Sequence, residues 1–418
     1  MSSESIGSHP IYSNTEAPPA VTDTGINVTE VITTAIDSNN NLKPKEKEEI
    51  KEWIKNKKEL RIIATGKTGA GKSSLLNSFI GEKLFEEGED LDPHTMMVDQ
   101  RSCKKDGIHV IAWDCPGLQD GTDNEEEYLK DLAEKTEKKV DLMLYCVDMN
   151  ASRAVDLRVH GSAIKKLTDI VGPEVWGNTV IALTFANMYE TRLCTTNVQI
   201  TNEILAQKFQ ERIDLWKTKL QEVLCEVGVA GNVVNALPVF PAGYRTTPHL
   251  PGYPLWASCM WLTMLYAVKE YAQPLPIVLN LKRFKDKVEL SDEHFFLPPE
   301  EQPIFVSGSF PYHAVTPICT SDTYQDEKFE GQVIGTSVGA GLGVAGGTVA
   351  GVITGVAVGV TAGTTAGAVV GGIAFGALTF GVGTFVGVAV GAGLGFGIGT
   401  ATGLLIDVYR RNKQKKES

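Results

Sequence analysis

The hydrophobic and polar positions of this chain form two alternating patterns between residues 59 and 275. Short apolar runs, typical of buried strands, are separated by segments with apolar residues three and four positions apart, which is typical of amphipathic helices. The apolar runs include LRIIAT (60–65), IHVIAW (108–113), VDLMLYCVDM (140–149) and NTVIALTFAN (178–187). This alternation predicts an α/β fold, a mostly parallel sheet with helices on both faces.

Two further patterns predict additional elements, one within this domain and one before it. The segment MMVDQRSC (96–103), followed by KKDG and IHVIAW, predicts a hairpin that gives the sheet one antiparallel strand. In the charged run KPKEKEEIKEWIKNKK (43–58), Ile50, Trp53 and Ile54 share one helical face. We therefore expect a short helix that leads into the domain.

The segment from Gly331 to Ile406 contains no Asp, Glu, Lys or Arg, and glycine falls on nearly every fourth position. This spacing aligns the glycines on a helix and lets helices approach closely in lipid. One span needs about 20 residues, so we expect two membrane helices that form a hairpin and turn near Gly371-Gly372. A low-complexity flexible or aggregation-prone segment is the alternative.

Composition and charge indicate the compartment of the chain and its division into segments. A formal net charge of −12 argues against a nucleic-acid partner, and seven cysteines without a CxxC pair indicate reduced thiols in the cytosol. With the basic end YRRNKQKK also cytosolic, an even number of spans is expected.

We expect six segments along the chain. They are a disordered stretch (1–42), a lead-in helix (43–58), the α/β domain (59–275), a proline-rich connector (276–330), a glycine-zipper transmembrane region (331–406) and a basic cytosolic tail (407–418).

The strongest chemical motif is GKTGAGKS (66–73), which fits GxxxxGK[ST] between an apolar run and an amphipathic segment. In such a P-loop, glycines let backbone N–H groups turn towards phosphates at a helix N-terminus. Lys72 is expected to reach the β- and γ-phosphates, and the Ser73 hydroxyl is expected to hold Mg²⁺. The loop predicts a nucleotide site but does not choose the base, so an ATPase stays open.

Two further positions belong to the same predicted site. Asp114-Cys-Pro-Gly117 follows the run IHVIAW, which places a carboxylate at a strand end beside the P-loop. We expect Asp114 to hold Mg²⁺ through water and the Gly117 N–H to contact the γ-phosphate. Thr95 lies in the acidic loop between the motifs and is the candidate that senses the γ-phosphate and Mg²⁺ together.

These motifs resemble those of the septin-related GTPases, the group of the chloroplast outer-envelope import receptors and the immune-associated nucleotide-binding proteins. The resemblance rests on GKTGAGKSSLLNSFIGE, on WDCPGLQDG and on the stretch VDMNASRAVDLRVHGSAIKKLTDIVGPEVWGNTVIALTFAN. It covers about half of the chain, from Leu60 to about Trp261, and it does not imply a plastid. It implies a GTPase that binds GTP or GDP with Mg²⁺ and dimerises through its GTPase domain.

The resemblance also implies roles for individual residues. Thr95 falls at the first switch, and Arg153 falls where the import receptors reach their partner's nucleotide across a dimer interface. A surface ion pair is the alternative for Arg153. The residues that the resemblance and the P-loop assign to the nucleotide are Gly66, Lys67, Thr68, Gly69, Ala70, Gly71, Lys72, Ser73, Ser74 and Gly117.

Two departures from the usual GTPase pattern affect the activity. The guanine-reading segment is Thr184-Phe185-Ala186-Asn187, where an Asp is usual, so guanine would meet the Asn187 amide and the Phe185 ring. A core phenylalanine and a loop asparagine are the alternative. Leu118 stands where many small GTPases hold a glutamine that orients the attacking water. We therefore expect slow hydrolysis, accelerated by dimerisation.

The resulting hypothesis is a membrane-anchored GTPase switch whose GTPase domain faces the cytoplasm. One alternative is a membrane-remodelling or pore-forming protein in which the nucleotide domain is a regulator. Another is a nucleotide-binding scaffold with negligible turnover, which Leu118 would also suit. The sequence names neither the membrane nor the partner.

Overall fold

A computed structural model describes ten ranges of the chain: residues 28–56, 58–87, 98–105, 107–118, 125–151, 153–196, 200–243, 249–285, 301–305 and 382–417. Its strands are β1 (Glu59–Gly66), β2 (Asp99–Lys105), β3 (Ile108–Asp114), β4 (Leu142–Asp148), β5 (Thr179–Thr184), β6 (Val239–Pro241), β7 (His249–Leu250), β8 (Tyr253–Pro254), β9 (Phe284–Lys285) and β10 (Ile304–Phe305). Its α-helices are α1 (Val28–Asp37), α2 (Pro44–Asn56), α3 (Lys72–Ile80), α4 (Glu125–Thr136), α5 (Arg153–Val171), α6 (Ala186–Thr196), α7 (Asn202–Glu226), α8 (Gly231–Ala236), α9 (Trp256–Ala267), α10 (Pro274–Leu279) and α11 (Val382–Glu417).

Six strands form one sheet in the order β2-β3-β1-β4-β5-β6. Strands β1, β3, β4, β5 and β6 are parallel, and β2 pairs antiparallel with β3, as the hairpin pattern predicted. Central strands β4 and β5 are buried along almost their whole length, which explains their continuous apolar sequences. Edge strand β2 is polar and carries two lysines, a composition that discourages pairing with another chain. The predicted α/β fold with a mostly parallel sheet is confirmed.

The helices pack on the sheet in two groups. Helix α3 contacts β1, α9 and α10, whereas α5 contacts α4 and α7. Tyr145 and Trp176 anchor the core beneath α5, with ring centroids 5.7 Å apart and both side chains fully buried. Because five strands of the sheet are parallel, their carboxyl ends lie at the same edge, where the loops of the candidate site begin.

Helix α1 lies inside the segment that we expected to be disordered. Its residues Ile32, Ala35 and Ile36 are fully buried and recur at helical spacing, a pattern that the Ser- and Thr-rich composition conceals. Helix α2 occupies the segment expected to be a lead-in helix and packs against α1. The N-terminal helices are thus part of the folded unit.

The C-terminal helix α11 also differs from its predicted role as a membrane segment followed by a basic tail. From Ile398 onwards it packs against α1, α2 and α10, and its apolar residues join the core of the domain. Its basic residues pair with acidic ones on the domain: Arg410 with Glu46 at 2.8 Å, Lys413 with Glu49 at 3.1 Å and Lys416 with Glu270 at 2.5 Å. The expected basic cytosolic tail is therefore a docked helix, because acidic α2 complements its charges.

Most of the predicted transmembrane region and most of the predicted connector stay predictions. In the part of the chain that the structure describes, no helix combines the length and apolar character needed to cross a membrane. Most of the predicted transmembrane region, residues 331–381, and most of the predicted connector lie outside the described residues. The described start of that connector is folded, because Asn280 and Arg283 donate hydrogen bonds to carbonyls at the C-terminal end of α3.

Candidate nucleotide-binding site

The P-loop connects β1 to α3, and its two outer glycines are required by geometry. Gly66 has a φ of 139°, and a Cβ at this position would lie 2.2 Å from the carbonyl oxygen of Cys146. Gly71, the residue before α3, has a φ of 72°, in the left-handed region that favours glycine. The predicted motif therefore forms a tight strand-to-helix turn at the carboxyl edge of the sheet, as a phosphate loop requires.

Lys72 lies across this loop. Its side chain is 7% exposed, and its Nζ donates to the Lys67 carbonyl oxygen at 3.1 Å. The Ala70 N–H donates to the same carbonyl at 3.1 Å, which closes the turn. Because the ammonium is held at the N-terminus of α3, both it and the helix dipole favour an anion there. The predicted phosphate residues Lys67, Thr68, Gly69 and Ala70 fill the turn between β1 and α3.

Asp114 faces the first turn of α3. Its Oδ2 accepts a hydrogen bond from the Ser73 hydroxyl at 2.5 Å, and the carboxylate is 2% exposed. Burial raises the pKa of Asp114 above its ordinary value, and nearby Lys72 and the Ser73 hydrogen bond oppose that rise. Asp99, at the start of β2, adds to the rise in this pKa. A cation bound here would stabilise the ionised form.

The second oxygen of Asp114 tests whether Mg²⁺ fits the site. Oδ1 is buried and has no hydrogen-bond partner among the described residues. A buried carboxylate oxygen needs a donor, and a water bound to Mg²⁺ would supply one. Ser73 offers the hydroxyl that a P-loop uses as a direct ligand. The residues that are present therefore fit the predicted metal.

The segment after Asp114 is fixed to the P-loop by backbone hydrogen bonds. The Cys115 N–H donates to the Ala64 carbonyl at 3.0 Å, and the Leu118 N–H donates to the Gly66 carbonyl at 3.1 Å. The Leu118 side chain is fully buried in the core, and the Gly117 carbonyl accepts from the Tyr128 hydroxyl at 3.3 Å. The structure thus brings the two sequence motifs together.

Ser74 has a different partner from the other P-loop residues. Its hydroxyl donates to Glu87 at 2.5 Å, and Glu87 also accepts from the Asn77 amide at 3.0 Å. The carboxylate lies directly before residues 88–97, which include the predicted switch residue Thr95 and lie outside the described part. Helix α5 begins at Arg153, whose side chain also lies outside the described part.

The predicted base-reading residues lie at the same edge of the sheet. The Cγ2 of Thr184 would be 3.8 Å from a Cβ added at Gly71, so β5 ends beside the P-loop. Phe185 has a φ of 55°, and both Phe185 and Asn187 are half-buried. The Ala186 N–H donates to the Ala242 carbonyl at 3.1 Å, which joins this loop to the irregular loop after β6.

Sequence reasoning missed two residues that support these loops. Asn150 donates through Nδ2 to the Phe185 carbonyl at 3.0 Å. Arg212 of α7 is buried and donates to the carbonyls of Met149 and Ala151 at 2.8 to 3.0 Å. A signal for Arg212 exists, because it lies within the apolar stripe of α7 between Phe209 and Trp216. The hydrogen bond of Asn150 has no local signal.

Comparison with known proteins finds similarity over part of this chain. The AIG1 family model matches residues 60–222. The Chlamydomonas reinhardtii protein Translocase of chloroplast 34 homolog is 31% identical over 147 residues, covering 32% of this chain and 36% of the relative. Translocase of chloroplast 34 from Pisum sativum is 31% identical over 135 residues, covering 30% of this chain and 40% of that protein.

A solved structure is also similar to this chain. Toc33 from Arabidopsis thaliana, in complex with GDP and Mg²⁺, has a TM-score of 0.34 and 18% sequence identity, and the match covers 50% of this chain and 82% of Toc33. The chain spans about two fifths of the length of the curated relatives named above. The segment matched by the AIG1 family model, residues 60–222, contains the P-loop, the Asp114 motif, Arg153 and the Thr184–Asn187 loop.

Proposed function

Because residues 60–222 form an AIG1-family GTPase domain, we propose that the chain is a GTP-binding switch that hydrolyses GTP slowly. The observation that carries this proposal is the buried carboxylate of Asp114, which holds Ser73 and has one oxygen without a partner among the described residues. When bound, Mg²⁺ would neutralise charge on the β- and γ-phosphates. Ser73 would hold the metal directly, and Asp114 would hold it through water.

The other phosphate contacts follow from the geometry of the loop. Lys72 would move from the Lys67 carbonyl to the β- and γ-phosphates, a small displacement because both groups lie at the N-terminus of α3. The Gly117 N–H would contact the γ-phosphate, and Thr95 would report its presence. Loss of the γ-phosphate would release these two contacts, which is how a GTPase switch changes state.

We propose that guanine binds between the loops after β5 and β6. Phe185 and Asn187 are both half-buried there, so each reaches the surface at which a base would contact the Phe185 ring and the Asn187 amide. The hydrogen bond from Ala186 to Ala242 keeps the two loops together. This arrangement favours a nucleotide-reading role over a core phenylalanine, which would be fully buried.

Slow hydrolysis follows from Leu118. Its side chain is fully buried and its N–H is committed to the Gly66 carbonyl, so it cannot orient water. Arg153 begins α5, directly after the loop that Arg212 holds in place. We propose that a second copy of the domain receives Arg153 at its nucleotide and that this contact accelerates turnover.

Membrane anchoring is a further part of the proposal and concerns residues 331–397. The described residues on both sides are fixed to the GTPase domain, since Ser258 donates to the Pro303 carbonyl and Ile398 of α11 is buried in the core. A membrane-inserted segment between them must therefore enter and leave on the same side. An even number of spans, with the domain facing the cytoplasm, satisfies this constraint.

The test of nucleotide binding is a competition between GTP and ATP for the full chain in the presence of Mg²⁺. The full chain is needed because α1 and α11 contribute buried residues to the domain. Lys72→Ala serves as the non-binding control. A GTP preference supports the proposal, whereas equal binding of ATP would reduce the function to that of a P-loop nucleotide-binding protein of another specificity.

The anchoring proposal is tested separately by extracting membranes from expressing cells with alkaline carbonate. Retention of the full chain in the pellet supports a spanning segment, and its release would remove spans from the proposal. Leakage of liposomes exposed to residues 331–406 would instead favour the pore-forming alternative.

A further inference from the structure

Phe185 has an unusual backbone conformation for its residue type. Its φ of 55° lies in the left-handed region, where a Cβ and a bulky side chain are disfavoured. Of the described non-glycine residues that share a positive φ, Phe185 alone is among the predicted base-reading residues. Such a conformation persists where surrounding contacts hold it, and it is often found at binding sites.

Asn150 supplies a long-range contact that holds it. The Asn150 amide donates to the Phe185 carbonyl at 3.0 Å and to the Asp148 carboxylate at 3.1 Å, although Phe185 is 35 positions away in the sequence. The N–H of Met188 donates to the same carbonyl at 3.0 Å. The Phe185 peptide is thus fixed from both the β4–α5 loop and the start of α6.

The loop that carries Asn150 is itself rigidly held. The Met149 N–H donates to the Thr184 carbonyl at 3.0 Å, and the Met149 carbonyl accepts from the guanidinium of Arg212 and from the Trp216 indole. The N–H of Asn150 donates to the Asp148 carboxylate at 2.8 Å, a backbone contact that does not depend on the asparagine side chain. The amide of Asn150 therefore approaches Phe185 from a preorganised position.

We propose that Asn150 is a positioning residue for base specificity, holding Phe185 so that Phe185 and Asn187 meet guanine in one fixed geometry. The proposal rests on the proposed function, since it requires the Thr184–Asn187 loop to face the base. Removal of the Asn150 amide would let the Phe185 peptide relax to a common conformation. The loop would then lose its discrimination between guanine and adenine, while the P-loop would keep its hold on the phosphates.

The experiment measures the affinities of Mg·GTP and Mg·ATP for the full chain, with Asn150→Ala beside the unmutated protein. We expect the ratio of GTP to ATP affinity to fall about tenfold, corresponding to loss of about one useful hydrogen bond. The affinity for ATP should stay within about twofold, because no phosphate contact changes. A general loss of structure would weaken both nucleotides and leave the ratio unchanged.

Asn178→Ala is the matched control. The Asn178 amide donates to the Ala267 carbonyl at 3.1 Å in a similarly half-buried setting, but it lies before β5, away from the loops after its carboxyl end. This variant should keep the unmutated ratio. Asn150→Leu, which removes the donor at nearly constant size without adding charge beside the Asp148 carboxylate, should repeat the effect of Asn150→Ala and provides a second route if the alanine variant folds poorly.

The outcomes separate the two proposals. If the unmutated chain shows no GTP preference, the proposed guanine-dependent switch fails. If it prefers GTP and the folded Asn150 variants keep that preference within about twofold, the role of Asn150 alone is overturned.

Discussion

The hydroxyl of Ser73 lies 2.5 Å from one carboxylate oxygen of Asp114, and the other oxygen is buried without a partner among the described residues. The contact joins the first turn of α3 to the end of β3. A buried carboxylate in this position is unfavourable unless a cation or donor reaches it. The pair therefore fits the metal site that we propose, which the nucleotide complex would complete.

The first prediction concerns this carboxylate. Asp114→Asn should lower the affinity for GTP in the presence of Mg²⁺ by about 10- to 100-fold, the range found when a partner of a metal-bound group is removed. Binding in excess EDTA should change much less. Fluorescent-nucleotide titrations with and without Mg²⁺ measure both values. Asp131→Asn, an exposed carboxylate paired with Lys135, is the control, and an unchanged Mg²⁺ dependence in Asp114→Asn would count against the metal site.

Much of this site was accessible from sequence because its signals are local. The P-loop motif spans eight residues, and the apolar run before Asp114 fixes that residue at a strand end. The sheet was predictable for a similar reason, because β4 and β5 are buried on both faces and are continuously apolar. In each case, the pattern that predicts the structure lies within a short stretch of neighbouring residues.

Other features depend on contacts between distant segments. The hydrogen bond from Asn150 to Phe185 exists because two loops meet at the carboxyl edge of the sheet, and no periodic pattern encodes it. The prediction of a membrane segment was wrong for residues 398–406 for a different reason. Glycine spacing and missing charge suit a membrane helix, but the same small, apolar surface also packs closely against a protein.

The second prediction concerns the buried arginine that supports the β4–α5 loop. Arg212→Leu removes donors from the Met149 and Ala151 carbonyls and should lower the free energy of unfolding by about 2 kcal/mol, because the Ala151 carbonyl loses the guanidinium and the Met149 carbonyl keeps the Trp216 indole as a donor. Urea denaturation followed by circular dichroism gives this value.

Arg192→Leu is the matched control for Arg212→Leu. Arg192 and Arg212 both lie over the Tyr189 ring, at 5.2 and 5.4 Å, but Arg192 is exposed. Its replacement should cost less than about 1 kcal/mol. Equal losses for the two variants would show that the carbonyl contacts contribute little.

The third prediction concerns the attachment of α11. Asp407 and Arg411 form an ion pair at 3.1 Å with both side chains 5% exposed, and Asp407 also accepts from the Tyr266 hydroxyl. Arg411→Met leaves a buried carboxylate without its cation and should destabilise the chain by about 3–5 kcal/mol. The double variant Asp407→Leu/Arg411→Met should recover most of that loss, because both charges are removed together.

Thermal and urea unfolding of the single and double variants form a double-mutant cycle. A coupling energy near zero would mean that the ion pair between Asp407 and Arg411, both of which lie on α11, does not contribute to stability. The half-buried pair Arg410–Glu46 supplies a comparison, since removing one partner of a pair that water still reaches should change stability by less than about 1 kcal/mol.

The last prediction concerns dimerisation. If Arg153 acts at the nucleotide of a second copy, GTP turnover per molecule should rise with protein concentration, and Arg153→Ala should remove that rise. An arginine supplied in trans can accelerate GTP hydrolysis by about 10³-fold or more, so the loss at high concentration should be at least about tenfold. GTP affinity should change little, because the phosphate loop is intact. The exposed arginine variant Arg192→Ala should behave like the unmutated chain. If turnover is equal in dilute and concentrated protein and unaffected by Arg153→Ala, Arg153 is a surface residue without a role in hydrolysis. The slow hydrolysis expected from Leu118 would then not be accelerated by Arg153 of a second copy.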